Sequence, residues 1–440
     1  MAASQSLPKE IFKAYDIRGI VDHTLTPTIV SAIGQALGSE AKARGLSTIV
    51  IGRDSRASST ALAAAVTRGM TDAGVHVLDL GLAGTEEVYF ATTHHDADGG
   101  IEITASHNPI DYNGMKIVGR GSAPIGPDTG LAAIRARAEG QNFDAPKPGG
   151  KITAIPATRA AYVARVLSFI DIAALRPMTV LVNAGNGTAG PTFDAIATAL
   201  AANGAPLTFH RLHHDVDGSF PNGIPNPLLP ENQPVTAAAV RTAKADMGVA
   251  WDGDFDRCFF FDHTGRFIPG EYIVGLLAQA FLLKHPGSAV VHDPRIIWNT
   301  QDAVAAGGGR AVQTRTGHAY LKQTMRDEGA IYGGEMSAHH YFRDFVHCDS
   351  GMIPWLVIAE LISRSGRSLA DLVEDRMVRF PSSGEINFTL TDPKSAIART
   401  VAAYRADAIH IDNMDAIGLS FPDWRFNLRA SNTEPLVRLN

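Results

Sequence analysis

Ser47-Thr48-Ile49-Val50-Ile51-Gly52-Arg53-Asp54-Ser55-Arg56 is the stretch from which the fold class follows. Its β-branched run reads as a buried strand, and the glycine and charged residues after it read as a turn at the strand's carboxyl end. Ser59 or Thr60 is placed to cap a helix over 61–73, and a second strand over 75–80 closes at Gly81. Upstream, residues 11–20 read as a strand entering a glycine turn, and apolar periodicity over 27–43 as a helix. Strand, loop and helix in alternation imply parallel α/β units. Ligands bind such units in the loops that leave the carboxyl ends of the strands.

The same logic applies to a short apolar run at 100–104, which delivers Thr104-Ala105-Ser106-His107-Asn108-Pro109 and then a polar loop through Asp111 to Lys116. A serine behind a buried strand, fixed by a following proline, is a candidate nucleophile, and equally a turn or cap residue. Residues 140–156 are rich in glycine, proline and lysine and mark a boundary. A second unit follows, with a strand over 178–182, a glycine-rich turn at Asn183–Gly190 and a helix over 191–202. That turn could cradle a phosphate with backbone N–H groups at the helix start, or serve as a tight strand-to-helix connection, the reading favoured by its lack of the Gly-Lys-Ser/Thr ending of a nucleotide loop. Residues 213–234 hold five prolines and form a long loop, after which 247–251 is a strand. A third unit has helices over 271–283 and near 297–306, a strand over 289–291 and loops at 314–318 and 333–340. From 367 a smaller α+β piece completes the chain.

At 440 residues the chain is long enough for about three domains. A net charge of −6 gives no general attraction to nucleic acid or anionic membrane, so any anion site must be a local basic cluster. Two cysteines, Cys258 and Cys348, form no disulfide framework or metal pair, and a reducing cytoplasm is expected. The first residues carry no export pattern, and the apolar runs are too short to span a bilayer.

Asp252, Asp254 and Asp256 are spaced by two. In extended backbone, alternate side chains share a face, so three carboxylates would converge and repel unless a cation sits among them. All-oxygen ligation suits a hard ion such as Mg²⁺. A calcium loop is excluded by Arg257, where its glycine should be, and by His263, where its last glutamate should be. A haloacid-dehalogenase-type aspartyl nucleophile stays open. Glu335, Ser337 and His339, in Gly334-Glu335-Met336-Ser337-Ala338-His339-His340, suit hydrogen bonds to sugar hydroxyls or proton transfer. Arg429, Ser431, Asn432 and Thr433 form a donor-rich cluster suited to a phosphate monoester, or a plain polar turn.

Together, and in this order, Lys13–Gly19, Thr104–Pro109, Asp252–Arg257, Gly334–His339 and Arg429–Thr433 resemble the α-D-phosphohexomutase superfamily over nearly the whole chain. The resemblance implies three related α/β domains plus a smaller α+β C-terminal domain around a central cleft. The bounds are 1–150 with the phosphoserine loop, 151–258 with the metal loop, 259–366 with the sugar loop and 367–440 with the phosphate loop. It implies that Ser106 carries the transferable phosphate as phosphoserine. A phosphoserine oxygen with Asp252, Asp254 and Asp256 would hold Mg²⁺, and hexose 1,6-bisphosphate would be activator and intermediate. Arg18, Lys116, Arg257 and His318 would be catalytic. Tyr15, Arg295, Thr316, Gly317, Glu335, Ser337, His339, Arg429, Ser431, Asn432 and Thr433 would bind substrate.

The implied activity is isomerisation of hexose 1- and 6-phosphates, mannose or glucose, in the cytoplasm, by a monomer or small oligomer whose partners are phosphosugars. Met336 stands where phosphoglucosamine mutases usually carry Gln. That amino-sugar activity, the aspartyl enzyme and a silent sugar-phosphate sensor are the rivals. Ala338 replaces a glycine common in relatives, Gly84-Thr85-Glu86 lacks a common proline, and the chain stops at Asn440 where relatives usually continue through a helix.

Overall fold

A computed structural model describes residues 7–430 and 436–440. In chain order the first elements are β1 (Asp16–Ile20), α1 (Pro27–Ala43), β2 (Thr48–Arg53), α2 (Ser59–Asp72), β3 (His76–Leu82), α3 (Thr85–His94), β4 (Gly99–Ile103), β5 (Tyr112–Gly119), α4 (Leu131–Gly140) and β6 (Lys151–Ala154). The expected helix over 27–43 is found to the residue. Pro27 fits the first helical turn, and Thr26 Oγ1 accepts from Ile29 N at 3.3 Å. The expected strand over 11–20 begins only at Asp16, because a turn intervenes: Phe12 bridges Ile17, and Lys13 N donates to Asp16 O.

These strands form one sheet, ordered β1-β5-β4-β2-β3-β6. β2 runs parallel to both β3 and β4, whereas β5 is antiparallel to β4 and β1. The sheet is therefore mixed. Because β2 and β4 are parallel neighbours, with Arg53 opposite Ile103, the segments leaving their carboxyl ends emerge side by side.

The next elements are α5 (Thr158–Leu167), β7 (Met178–Asn183), α6 (Ala189–Ala202), β8 (Leu207–Leu212), α7 (Gln233–Ala243), β9 (Met247–Trp251), β10 (Cys258–Asp262) and β11 (Phe267–Ile268). Their sheet runs β11-β10-β9-β7-β8, with β9 fully buried. Phe193 packs against Trp251 at 5.9 Å, and Trp251 Nε1 donates to Gly351 O at 2.8 Å. Burying an aromatic side chain removes 150–250 Å² from water. That packing fixes the end of β9, from which the aspartate segment departs.

The chain continues with α8 (Gly270–Lys284), β12 (Ala289–His292), α9 (Ile297–Ala306), β13 (Arg310–Gln313), α10 (His318–Glu328), β14 (Tyr332–Gly334), β15 (His340–Phe342), β16 (Cys348–Asp349), α11 (Met352–Ser365) and α12 (Leu369–Arg379). β12 is parallel to β13 and β14, and β14 is antiparallel to β15. Last come β17 (Ile386–Thr389), α13 (Pro393–Tyr404), β18 (His410–Asp412), β19 (Ile417–Ser420), β20 (Arg425–Ala430) and β21 (Leu436–Leu439), an antiparallel sheet ordered β17-β21-β20-β19-β18. The architecture is thus three α/β layers and a fourth sheet with α13. The chain divides into two compact units: Met1–Phe267 with Asp344–Leu369, and Ile268–Arg343 with Ala370–Asn440. Among the described residues, no helix is long and apolar enough to cross a membrane.

Candidate active site

In the first unit, fully buried β4 delivers Ser106 at its carboxyl end. Ser106 takes a left-handed backbone, φ 48°, and its N–H donates to Thr104 Oγ1 at 2.8 Å. A non-glycine residue there stores strain, which persists only where the surroundings hold it. Ser106 Oγ donates to Asp252 Oδ2 at 2.7 Å and lies 3.0 Å from His107 Nδ1.

Asp252, Asp254 and Asp256 are 0%, 0% and 2% exposed, and each offers an oxygen within 4.8 Å of the others. They converge as expected, but not through strand alternation. β9 ends at Trp251, and Phe255 takes φ 45° with its N–H returning to Asp252 O at 3.2 Å, so a turn gathers the carboxylates. Gly84 makes room for that turn: a Cβ there would lie 2.1 Å from the Phe255 ring. The glycine-rich stretch supports the same turn, with Thr188 donating through N and Oγ1 to Gly253 O.

Lys116 Nζ donates to Asp254 Oδ2 at 2.7 Å and to Asp256 Oδ2. Thr85 Oγ1 also donates to Asp254 Oδ2, at 2.7 Å. Burial disfavours the ammonium, but the three carboxylates outweigh it and push the Lys116 pKa above its ordinary value. Burial likewise opposes ionisation of Asp254, and Lys116 outweighs it, holding that carboxyl below the usual range. Arg257 Nε donates to Asp252 Oδ2 at 3.0 Å, and Nη2 reaches Ser106 Oγ at 3.3 Å and His107. Arg18 donates to Thr104 O at 2.8 Å and pairs with Asp16 at 2.6 Å. Tyr15 lies with its ring against Gly126. A divalent cation fits this chemistry: the donors are all oxygen, all buried, and Asp254 Oδ1 has no hydrogen-bond partner among the described residues.

In the second unit, Glu335 follows β14 and is buried. Its Oε1 accepts from Gly317 N at 2.9 Å and its Oε2 from Tyr341 Oη at 2.7 Å, so Gly317 and Glu335 are joined directly. The loop closes as a tight turn: Glu335 N donates to His339 O, and Ala338 takes φ 68°. Ser337 and His339 are half-buried on this loop, and His318 opens α10 immediately after Gly317. Thr316 precedes them, and its buried Oγ1 has no hydrogen-bond partner among the described residues.

Arg295 is locked to Asp293 through Nε at 3.1 Å and Nη2 at 2.5 Å, and Asp293 Oδ2 also accepts from Met336 N at 3.0 Å. Asp293 thus couples Arg295 to the Glu335 loop. Arg429, on β20, stands opposite Arg438 on β21. Burial lowers the Arg429 pKa, with the positive charges of Arg295 and Arg438 adding to it against the pull of Asp415, 3.7 Å from its Nη1. Ser431, Asn432 and Thr433 lie outside the described residues.

Sequence reasoning gave no role to Thr85, His107, Asp293 or Arg438, although His107 stands beside Ser106 in the motif read as a nucleophile loop. Arg438 comes opposite Arg429 only through the pairing of β20 and β21.

Profiles of the phosphoglucomutase/phosphomannomutase α/β/α domains I, II and III match residues 9–145, 160–265 and 269–380. The chain is 55% identical over 433 residues to a phosphomannomutase of Salmonella montevideo, covering 98% of this chain and 94% of the relative. It is 55% identical over 432 residues to phosphohexose mutases of Xanthomonas campestris pv. campestris, with the same coverages. A crystal structure of a phosphoglucomutase/phosphomannomutase family protein from Burkholderia thailandensis superposes with a TM-score of 0.86 at 32% identity, covering 98% of this chain and 93% of that one. The site assembled on β4 and β9 therefore sits in a chain that belongs to the phosphoglucomutase/phosphomannomutase family, whose members are isomerases that move phosphate within a sugar.

Proposed function

We propose that the protein interconverts mannose or glucose 1-phosphate and 6-phosphate through phosphoserine at Ser106 and a hexose 1,6-bisphosphate intermediate. The observation that carries this reading is the Ser106 Oγ to Asp252 Oδ2 hydrogen bond of 2.7 Å inside the buried aspartate cluster. In the first transfer, the Ser106 Oγ–P bond breaks and a sugar hydroxyl oxygen bonds to phosphorus as its proton passes to a base. In the second, Ser106 Oγ takes the phosphate from the other end of the reoriented sugar, and the released oxygen is protonated. The net reaction leaves the serine phosphorylated and the sugar isomerised.

Asp252, Asp254 and Asp256 would hold Mg²⁺, which, when bound, neutralises phosphate oxygens. Arg257 lies within reach of Ser106 Oγ and offsets charge on the transferring group. Lys116, bonded to Asp254 and Asp256, brings a positive charge to the transferring group. Lys116, His318 and His339 are the proton-transferring candidates. Glu335 and Ser337 take sugar hydroxyls. Arg429 with Ser431, Asn432 and Thr433 holds the phosphate that is not transferred, and Arg295, Thr316, Gly317, Arg18 and Tyr15 complete substrate binding. The relatives' names favour hexose over amino-sugar phosphates, and cytoplasmic action follows from that metabolism.

Phosphorus NMR of purified protein with mannose 1-phosphate, Mg²⁺ and a trace of glucose 1,6-bisphosphate tests the reading. The 6-phosphate signal should grow with the parent and not with Ser106→Ala. Growth undiminished in Ser106→Ala would transfer the role to Asp252, as in an aspartyl-nucleophile enzyme.

A further inference from the structure

We infer that Arg56 is the positioning residue that holds the Ser106 loop in its reactive shape. The inference rests on the reading of Ser106 as the phosphate carrier. Gly52–Arg56 drew attention in the sequence as a strand end, but nothing in the reaction has used it. The structure shows an arginine only 2% exposed, an unusual burial for a permanently charged side chain.

Its two terminal nitrogens are spent on one loop. Nη2 donates to Ser106 O at 2.9 Å and Asn108 O at 2.6 Å. Nη1 donates to Pro109 O at 2.8 Å and Tyr112 O at 3.1 Å. Four backbone carbonyls of residues 106–112 thus point at one guanidinium. Converging carbonyl dipoles repel, and without the guanidinium the buried Ser106 O would lose its donor. The guanidinium is the mould around which this loop closes. Topology explains why it can reach: β2 and β4 are parallel neighbours, so Arg56 and Ser106 leave the sheet together.

Arg56 is itself fixed from three sides. Asp54 Oδ2 faces its Nε at 3.5 Å, and Asp54 Oδ1 accepts from Arg56 N at 3.0 Å. Ser59 Oγ donates to the same carboxylate oxygen at 2.5 Å. The Phe220 ring, from the proline-rich loop, lies 5.6 Å from the guanidinium carbon. The far end of the loop has its own tie, Asn113 Nδ2 donating to Ser58 and Ser59 Oγ at 2.8 and 2.9 Å. What Arg56 alone supplies is the hold on the carbonyl of Ser106, whose φ of 48° needs an external restraint.

Lysine keeps the charge but presents no planar fork, so Arg56→Lys should leave the fold and lose the geometry. A displacement of about 1 Å at a reacting group costs about 100-fold in rate. Arg56→Lys is therefore expected to melt cooperatively, keep KM for mannose 1-phosphate near the parent value and lose about 100-fold in kcat. Single-turnover transfer of radiolabelled phosphate from glucose 1,6-bisphosphate to Ser106 should slow in parallel. In Arg56→Gly, added methylguanidinium should restore part of that transfer, which a purely structural role would not show.

Parent-like kcat in Arg56→Lys, or a loss fully explained by the unfolded fraction with no rescue in Arg56→Gly, overturns the assignment. So does failure of both variants to fold, which would make Arg56 a core residue and nothing more. Absence of label on Ser106 in the parent would instead overturn the phosphoserine reading itself, so the two failures are distinct.

Discussion

Removing the Lys116 ammonium, as in Lys116→Met, should destabilise the metal-free protein strongly and the Mg²⁺-loaded protein much less. Lys116 Nζ lies 2.7 Å from Asp254 Oδ2 and also bonds Asp256. At an effective dielectric of about 20, one such contact is worth about 6 kcal/mol of gross attraction. Desolvating the charges takes back most of it, and breaking a buried pair costs about 3–5 kcal/mol net, because the abandoned carboxylates stay buried. Arg257 remains, but it is engaged with Asp252. A divalent cation supplies the missing charge, and it meets less competition once the ammonium is gone. Ligand binding stabilises by about 2.7 kcal/mol at a hundredfold excess over Kd, and more as Kd falls. The assay is urea unfolding of parent and variant, each with chelator and with Mg²⁺. The gap between them should be about 3–5 kcal/mol in chelator and should shrink in Mg²⁺. Equal stability in chelator, or the same Mg²⁺ increment for both proteins, refutes the reasoning.

Other outcomes follow from single features. His340 is buried with Nδ1 against the Tyr332 hydroxyl at 2.7 Å, and burial brings its pKa down from 6.5 to about 3, with His339 adding slightly. Between those values the unfolded chain holds the extra proton, so this contribution is complete above pH 6.5 and lost as pH falls toward 3. Stability should therefore drop by about 2 kcal/mol from pH 7 to 5, and His340→Gln should remove that part of the slope in denaturant titrations. Ala338→Gly relieves a left-handed alanine at φ 68° and should raise unfolding free energy by about 0.5–1 kcal/mol; a decrease would contradict the strain. Arg429→Ala removes a charged donor from the phosphate patch and should weaken hexose phosphate binding by about 1.5–3 kcal/mol in calorimetry, with kcat less affected.

The sequence shows most clearly what local pattern controls. The helix at Pro27–Ala43 and the strand at Met247–Trp251 have the expected bounds, because a cap, a proline and apolar periodicity act within the first and an unbroken apolar run within the second. The strand expected from residue 11 starts at Asp16, because its register is set by pairing with β5, a hundred residues away. Convergence of the three aspartates was expected from their spacing by two. Its cause was not, since a left-handed Phe255 is a conformation that tertiary packing imposes and local propensity opposes. Arg56 was invisible for a related reason. Burial of an arginine depends on distant carbonyls, and nothing in its neighbours announces them. Glu335, Ser337 and His339 were found as one motif, while the bonds that tie Glu335 to Gly317 and Tyr341 needed the strand pairing of β14 and β15.

Phosphosite mapping by mass spectrometry, before and after exposure to hexose 1,6-bisphosphate, tests the central claim most directly. The account predicts phosphate on Ser106 that rises with the bisphosphate and falls when glucose 6-phosphate or mannose 6-phosphate is added. A Ser106 that never takes phosphate, or a hydroxylamine-labile acyl phosphate at Asp252, would contradict it.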